Sequence, residues 1–374
     1  TARRPELPFH GIVRGRRHAC CIVFRPPIPT MQFRPTIALA AAACTAWLLA
    51  PACAAGTINA SFPAPALDRW MYPFNSTPGT RPVISTFGST PGATDFDSRD
   101  GQMLVRFDTA AQVPTGQGSA LTVTRATLTV EVANDLVFPY DNTPDPWQCF
   151  VATNDPAWQA DADAGQPLEC FGVGFRNGWT LASFQETSPY TSGGASFLAP
   201  GVRNAYAAGF DASNNLVDIS QSARQRFDAT AWATGTIAGL TPGSLVPAGS
   251  QVRFDLNVSD PNIQAYLRSG VNDGRVMLAV SSLTFVQQQS GNFPAFIAKE
   301  NVYVQLGLAS PARLELDVQD GPACRLGDLN CDGRVNGADL GTLLGDWGTS
   351  GPSDLNGDQV VNGSDLGIML GEWG

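Results

Sequence analysis

The feature that most constrains this 374-residue chain is a duplication at its C-terminal end. The segment Asp328-Leu-Asn-Cys-Asp-Gly-Arg-Val-Asn-Gly-Ala-Asp339 recurs 26 residues later as Asp354-Leu-Asn-Gly-Asp-Gln-Val-Val-Asn-Gly-Ser-Asp365. Aligned over 21 residues, the two units share 14 identities. Ca²⁺ takes roughly six to eight oxygen ligands, and a 12-residue loop offers them from about six set positions, 1, 3, 5, 7, 9 and 12. That spacing assigns Asp328, Asn330, Asp332, the Arg334 carbonyl, Asn336 (through water) and Asp339 to a first site. It assigns Asp354, Asn356, Asp358, the Val360 carbonyl, Asn362 and Asp365 to a second. Val335 and Val361, at position 8, are expected to pair the two loops through a short β-bridge. Each loop runs into a short helix carrying Leu340, Leu343, Leu344 and Trp347, or Leu366, Met369, Leu370 and Trp373, an apolar stripe at helical spacing. So small a unit buries little, so calcium is its expected main stabiliser and chelation is expected to unfold it.

Duplicated Asp-x-Asn-x-Asp loops, each followed by one helix and a Trp-Gly end, resemble type I dockerins, especially the Trp-Gly-ending planctomycete-type variety. The resemblance covers residues 321–374 and implies two calcium ions and a cohesin-like or cell-surface receptor. Three features depart from the family pattern. Gln359 stands at position 6, where the first loop has Gly333, which strains the turn and weakens the second site. Position 12 is Asp in both loops, where EF-hands proper use Glu. Gly337-Ala338 and Gly363-Ser364 occupy the positions that help choose a cohesin, and they offer little hydrogen bonding. That puts a standard cohesin partner in doubt and leaves an unrecognised receptor or surface retention as the other readings.

The N-terminal end reads as processing sequence. Met31 opens a charged start, Thr36 to Ala50 is an apolar run, and Pro51-Ala-Cys-Ala-Ala55 supplies small residues, the pattern of a secretory signal peptide over 31–55. Residues 1–30 are then an over-extended, disordered gene start. The apolar run is too short for a good membrane span, and no transmembrane segment is expected in the mature chain. Residues 1–55 hold seven of the 23 basic and one of the 33 acidic residues, leaving 16 against 32, a net charge of −16. Such acidity argues against nucleic acid, which needs clustered cations. Beyond residue 55 there is no histidine, which excludes Ser-His, Cys-His and His-ligated zinc chemistry. Cys149, Cys170, Cys324 and Cys331 remain, and in an exported chain an even number implies disulfides. Of the three pairings, sequence proximity favours Cys149–Cys170 and Cys324–Cys331.

Residues 56–320 are expected to be β throughout. Val252, Phe254, Leu256 and Val258 alternate with polar residues, as do Val302, Val304, Leu306 and Leu308, and Leu314, Leu316 and Val318. Leu121 and Val123 are out of phase with Ala126, Leu128, Val130 and Val132, which places a β-bulge near Arg125. Ile263 to Leu267 is the one helical stretch expected. The fold class is mainly β: a jelly-roll-like antiparallel β-sandwich, with the small α-helical calcium-binding dockerin-like domain after it. Asp97-Ser-Arg-Asp-Gly-Gln-Met-Leu-Val-Arg-Phe-Asp108, Val123 to Val130 and Phe254 to Leu283 resemble DNRLRE-type sandwich modules over about a third of the body. That resemblance implies binding of acidic polysaccharide, with residues 135–215 as an insertion.

Within the insertion, Trp147, Trp158, Trp179 and Tyr190 are a candidate carbohydrate platform, although packing the insertion's own core is the plainer expectation for any one of them. Asp155, Asp161 and Asp163 read as a solvated acidic loop more readily than as a calcium site. Glu131, Glu169, Glu186, Glu300 and Glu315 are the carboxylates open to glycosidase chemistry, none in a recognisable motif. A lyase would draw on Lys299, the one lysine of the chain. The sequence thus favours a secreted, noncatalytic, polysaccharide-binding or surface-associated protein. A dockerin-bearing polysaccharide-degrading enzyme and a structural adhesion protein are the alternatives.

Overall fold

The computed structural model describes residues 56–286, 292–321, 326–330 and 334–374. The expected leader (1–55), Cys324, Cys331 and Asp332 lie outside the described residues. Two large antiparallel sheets make up the body, so the chain is mainly β. With strands numbered along the chain, the first sheet runs β1 (Gly56–Phe62), β15 (Arg313–Asp320), β6 (Leu121–Glu131), β11 (Gln251–Asp255). The second runs β2 (Leu67–Met71), β5 (Gln102–Asp108), β12 (Arg275–Ser281), β7 (Glu169–Phe175), β8 (Ala205–Phe210), β9 (Leu216–Asp218), with β10 (Ala233–Thr234) also on β7. Two small pairs flank them: β3 (Val83–Ser85) with β14 (Ala295–Ile297), and β4 (Gly88–Ser89) with β13 (Phe285–Val286), the latter parallel.

The alternation does what was expected of it. In β15, Leu314, Leu316 and Val318 are buried while Arg313, Glu315 and Asp317 keep partial exposure. These side chains meet Phe62, Leu128 and Val252 from their own sheet and Phe107, Leu278 and Phe171 from the other in one shared core. The bulge falls at Thr124: Asp317 pairs with Arg125 and Val318 with Val123, so Thr124 is skipped and the phase of β6 flips. After a single helical turn, α1 (Ser222–Gln225), the expected helical stretch is α2 (Pro261–Asn272), started by the Asp260 side chain accepting from Asn262 N and Ile263 N with Pro261 in its first turn.

One expectation fails. Val302 to Leu308 is no strand: α3 (Val302–Gln305) is a single helical turn capped by the Asn301 side chain, which accepts from Tyr303 N at 2.9 Å. Val302, Tyr303, Leu306 and Leu308 stay exposed. The alternation there was real, but a good N-cap residue ahead of it took the chain into a helix. The segment 135–215, expected as an insertion, supplies β7 and β8, with β7 flanked on both sides in the second sheet.

The glycines of β7 explain why that strand was hard to read. A Cβ on Gly172 would stand 2.2 Å from the Trp232 ring, and one on Gly174 would stand 2.4 Å from Tyr206. Large rings contributed by distant segments fill the space that ordinary strand side chains would take. Gly172→Ala should therefore lower stability by about 1–3 kcal/mol through overpacking, read as a lower urea midpoint. An unchanged midpoint would show that Trp232 has room to move.

Candidate functional site

In the tail, α4 (Gly337–Gly345) and α5 (Gly363–Gly371) follow the two loops. Position 12 is the centre of each. Asp339 is fully buried, its Oδ1 accepting from Leu329 N (2.8 Å) and Asn330 N (3.0 Å) and its Oδ2 from Asn336 N (2.8 Å). Asp365 repeats the set with Leu355 N (2.8 Å), Asn356 N (3.2 Å) and Asn362 N (2.8 Å). Burial works against the Asp339 charge, yet these N–H donors hold its carboxyl below the usual range. Donation led by Asn362 does the same for Asp365.

Asn336 and Asn362, at position 9, act as N-caps, their side-chain oxygens accepting from Ala338 N (2.9 Å) and Ser364 N (2.8 Å). Paired with Asp339 and Asp365, each completes a capping box. In the second loop, Asp354 collects the N–H groups of Gly357, Asp358 and Gln359, and Asp358 Oδ1 accepts from Val360 N. The ligand atoms that the loops offer are all oxygen, and a carboxylate accepting three N–H bonds, as Asp339, Asp354 and Asp365 do, keeps about one of its roughly four lone pairs for a cation. This donor set suits a hard divalent ion and no soft one. Gln359 has φ 72°, the left-handed region that position 6 demands and that a residue with a Cβ enters at a cost of about 1–2 kcal/mol.

Val335 and Val361 are buried together with Leu343 and Met369, but the loops do not pair through them as expected. Val361 bonds instead to the end of the first unit (Gly348 N to Val361 O, 2.9 Å; Val361 N to Thr349 O, 2.7 Å). Gly374 N reaches back to Val335 O at 3.0 Å. Each unit's end thus clasps the other unit's loop. The helical stripe also divides. Leu343 and Met369 face inward, while Leu344 and Leu370 (each 54% exposed), Trp347 (47%) and Trp373 (46%) form two matched apolar patches.

In the body, the expected aromatic platform is dispersed. Trp179 and Tyr190 pack on the main core, and Trp147 lies under the Arg226 guanidinium at 5.6 Å. Trp158 alone of the four is well exposed, at 40%. No bridge joins Cys149 to Cys170. Cys170 sits on β7 inside the core and Cys149 in the turn Trp147–Phe150, and both are free thiols. Burial, reinforced by Asp161 and Asp145, pushes Cys149 up to about 11, so it stays protonated and unreactive.

A different aromatic surface exists. Trp70, Tyr72 and Phe74 continue through Phe87 to Phe293 and through Phe96 and Phe197 in an unbroken series of ring contacts, with centroids 4.6–6.2 Å apart. Phe74 and Phe197 are exposed, and Arg81 lies over Trp70 at 5.5 Å. The run Trp70-Met-Tyr-Pro-Phe74, crossing from a strand into a loop, was the sequence signal for it.

The five candidate carboxylates are all engaged. Glu169 is buried and ion-paired with Arg99, Glu315 pairs with Arg125, and Glu131 accepts from Gln251 and Ser310 N. Glu186 and Glu300 do come together, but around Lys299, whose Nζ also lies 3.2 Å from the buried Asp68. Asp155 pairs with Arg226 and leaves the acidic group to which it was expected to belong.

Beneath the aromatic surface lies Asp100, 5% exposed, its Oδ1 3.8 Å from Arg203. Burial drives its carboxyl up to about 7, Arg203 opposing and Asp97 adding to the rise. The folded value stands above the unfolded value of about 4, so the folded chain holds a proton that the unfolded chain has lost. This contribution is complete below about pH 4 and disappears as pH rises through about 7. Stability should therefore fall by about 2–3 kcal/mol from this group between pH 5 and 8, and Asp100→Asn should flatten that slope. A slope unchanged in the variant would assign it elsewhere.

No family model and no curated protein matches the chain.

Proposed function

We propose that this is a calcium-dependent modular binding protein, in which a noncatalytic β-sandwich is carried by a dockerin-like tail. The observation that carries the reading is the recurrence, bond for bond, of the Asp339 and Asp365 arrangement around two all-oxygen loops. Calcium would be held by Asp328, Asn330, Asp332, the Arg334 carbonyl, Asn336 and Asp339, and by their counterparts Asp354 to Asp365. Its charge would offset the carboxylates that the loops gather. The matched Leu344/Trp347 and Leu370/Trp373 patches are the surface offered to a receptor. The proposal includes secretion, which the expected signal peptide at 31–55 would direct.

The strand order supports a jelly-roll-like sandwich. Taking β1, β5, β6, β7, β8, β11, β12 and β15 as strands 1 to 8, the sheets run 1-8-3-6 and 2-7-4-5, the order of two interlocked Greek keys. The body's ligand is polysaccharide, stacked on the Phe74–Phe197 aromatic surface in place of the dispersed tryptophans. Every candidate catalytic carboxylate has a structural partner, which favours binding over cleavage.

The test uses the full chain with and without EGTA. Chelation should abolish the helical signal of the tail and expose it to protease, and an unchanged far-UV spectrum would sink the calcium assignment. In affinity electrophoresis against a polysaccharide panel, Phe74→Ala and Phe197→Ala should relieve retardation. Release of reducing ends would instead make the body an enzyme.

A further inference from the structure

We infer that the β body carries a divalent-cation site of its own, formed by Asp141, Asp145 and Asp163 and suited to Ca²⁺. One carboxylate oxygen from each lies within 4.8 Å of the others. An ion at the usual Ca–O distance of about 2.3–2.6 Å holds its ligand oxygens up to about 5 Å apart, so a single cation spans the group.

Two carboxylate oxygens of this group have no partner. Asp141 is 5% exposed; its Oδ1 accepts from Thr143 N and Oγ1, both at 2.8 Å, while its buried Oδ2 has no hydrogen-bond partner. Asp145 Oδ2 is likewise shielded from solvent and unpartnered. The Thr143 hydroxyl lies 2.8 Å from Asp141 Oδ1 and 2.8 Å from Asp163 Oδ2, and its one proton serves a single carboxylate. Asp161, whose Oδ1 faces Asp163 N at 3.4 Å, adds a fourth negative charge beside them. Among the described residues, no Lys or Arg pairs with any of the four.

The contrast with the second such group is informative. Asp68, Glu186 and Glu300 also bring three carboxylate oxygens within 4.8 Å, and there the Lys299 ammonium sits among them. One cluster has its cation built into the chain, whereas the other has the same geometry without one. Carboxylate oxygens withdrawn from water without compensation, as on Asp141 and Asp145, cost several kcal/mol, so the Asp141/Asp145/Asp163 cluster calls for a cation from solution. Oxygen-only donors exclude a thiophilic metal, and the irregular set favours calcium over the stricter octahedron of magnesium.

The backbone is shaped to close the group. Gly165 has φ +114°, and a Cβ there would stand 3.0 Å from Asp141 Cβ and 3.2 Å from Pro139 O. This tight passage brings the 161–165 loop over Asp141. A bound ion would tie that loop, which leads into β7, to the segment preceding Trp147, and would fix the wall on which Asp145 and Trp147 line a cleft.

The site is tested by calcium stoichiometry on the full chain, measured by equilibrium dialysis. Asp163→Asn, an exposed position, and the double variant Asp141→Asn/Asp145→Asn should each bind one ion fewer than the parent, with affinity at the site at least tenfold weaker. A tail variant, Asp354→Asn/Asp358→Asn, should keep the body ion. If the tail itself held no calcium, the parent would bind one ion and only the body variants would lose it, so the two assignments fail separately. Parent stoichiometry retained by a folded Asp163→Asn chain overturns the inference, and this arm decides should the double variant not fold.

Discussion

Replacing Arg203 by alanine is expected to cost about 3–5 kcal/mol, a large part of the roughly 5–15 kcal/mol that holds a domain folded. Arg203 is completely buried. Its Nε donates to Asp97 Oδ2 at 2.6 Å, its Nη1 to Met71 O at 3.3 Å, and its Nη2 to the carbonyls of Arg99 (3.2 Å) and Asp100 (3.1 Å). Asp97 in turn takes Gly201 N at 2.7 Å and the Gln221 side-chain amide, and the Tyr190 ring lies 5.7 Å from the guanidinium. Alanine would strand two buried carboxylates and three carbonyls at once, in a place water does not reach. Lysine should rescue little, because a single ammonium cannot reproduce a planar fork that serves a carboxylate and three carbonyls. Urea unfolding measures both variants, and an Arg203→Ala chain within 1 kcal/mol of the parent would show that this network carries little weight.

The same hub shows where sequence reading stops. The run Asp97-Ser-Arg-Asp100 carries a family resemblance, but its partners Glu169, Arg203 and Gln221 stand about 70 to 125 residues away, and no local pattern points to them. Leu314, Leu316 and Val318 were legible because one face of β15 is dry and the other wet, so burial is written as alternation. The bulge at Thr124 was legible for the same reason, as a break in phase. β7 was not, since its glycines are set by the distant rings of Trp232 and Tyr206. In the candidate metal sites the division is similar. The tail loops gather their donors within 12 residues, so spacing reveals them. Asp141 and Asp163 meet across a fold-back in which Gly165 passes close to Asp141, and Asp155, nearer in sequence to Asp163, pairs instead with Arg226.

Asp365→Ala, and equally Asp339→Ala, is expected to unfold the whole tail, not only the loop that carries it. Each substitution removes the acceptor of three backbone N–H groups. Leaving these part-buried donors unsatisfied costs about 1 kcal/mol apiece, and one of the three in each unit, the N-cap N–H, is half of the helix's capping box. Against this the tail sets a core of four fully buried side chains, Val335, Leu343, Val361 and Met369, drawn from both units. So small a core cannot absorb several kcal/mol. The crossed clasps make the loss shared: Gly348 holds Val361 of the second loop, and Gly374 holds Val335 of the first. Neither half keeps its edge bonds once the other opens. Hydrogen exchange should therefore show α4 deprotected in Asp365→Ala and α5 deprotected in Asp339→Ala. Gln359→Gly should move the other way, gaining about 1 kcal/mol by relieving the left-handed φ and, if the proposed second calcium site forms, tightening it about fivefold. Protection retained in the unsubstituted half would mean that the two units fold independently, with the clasps contributing little.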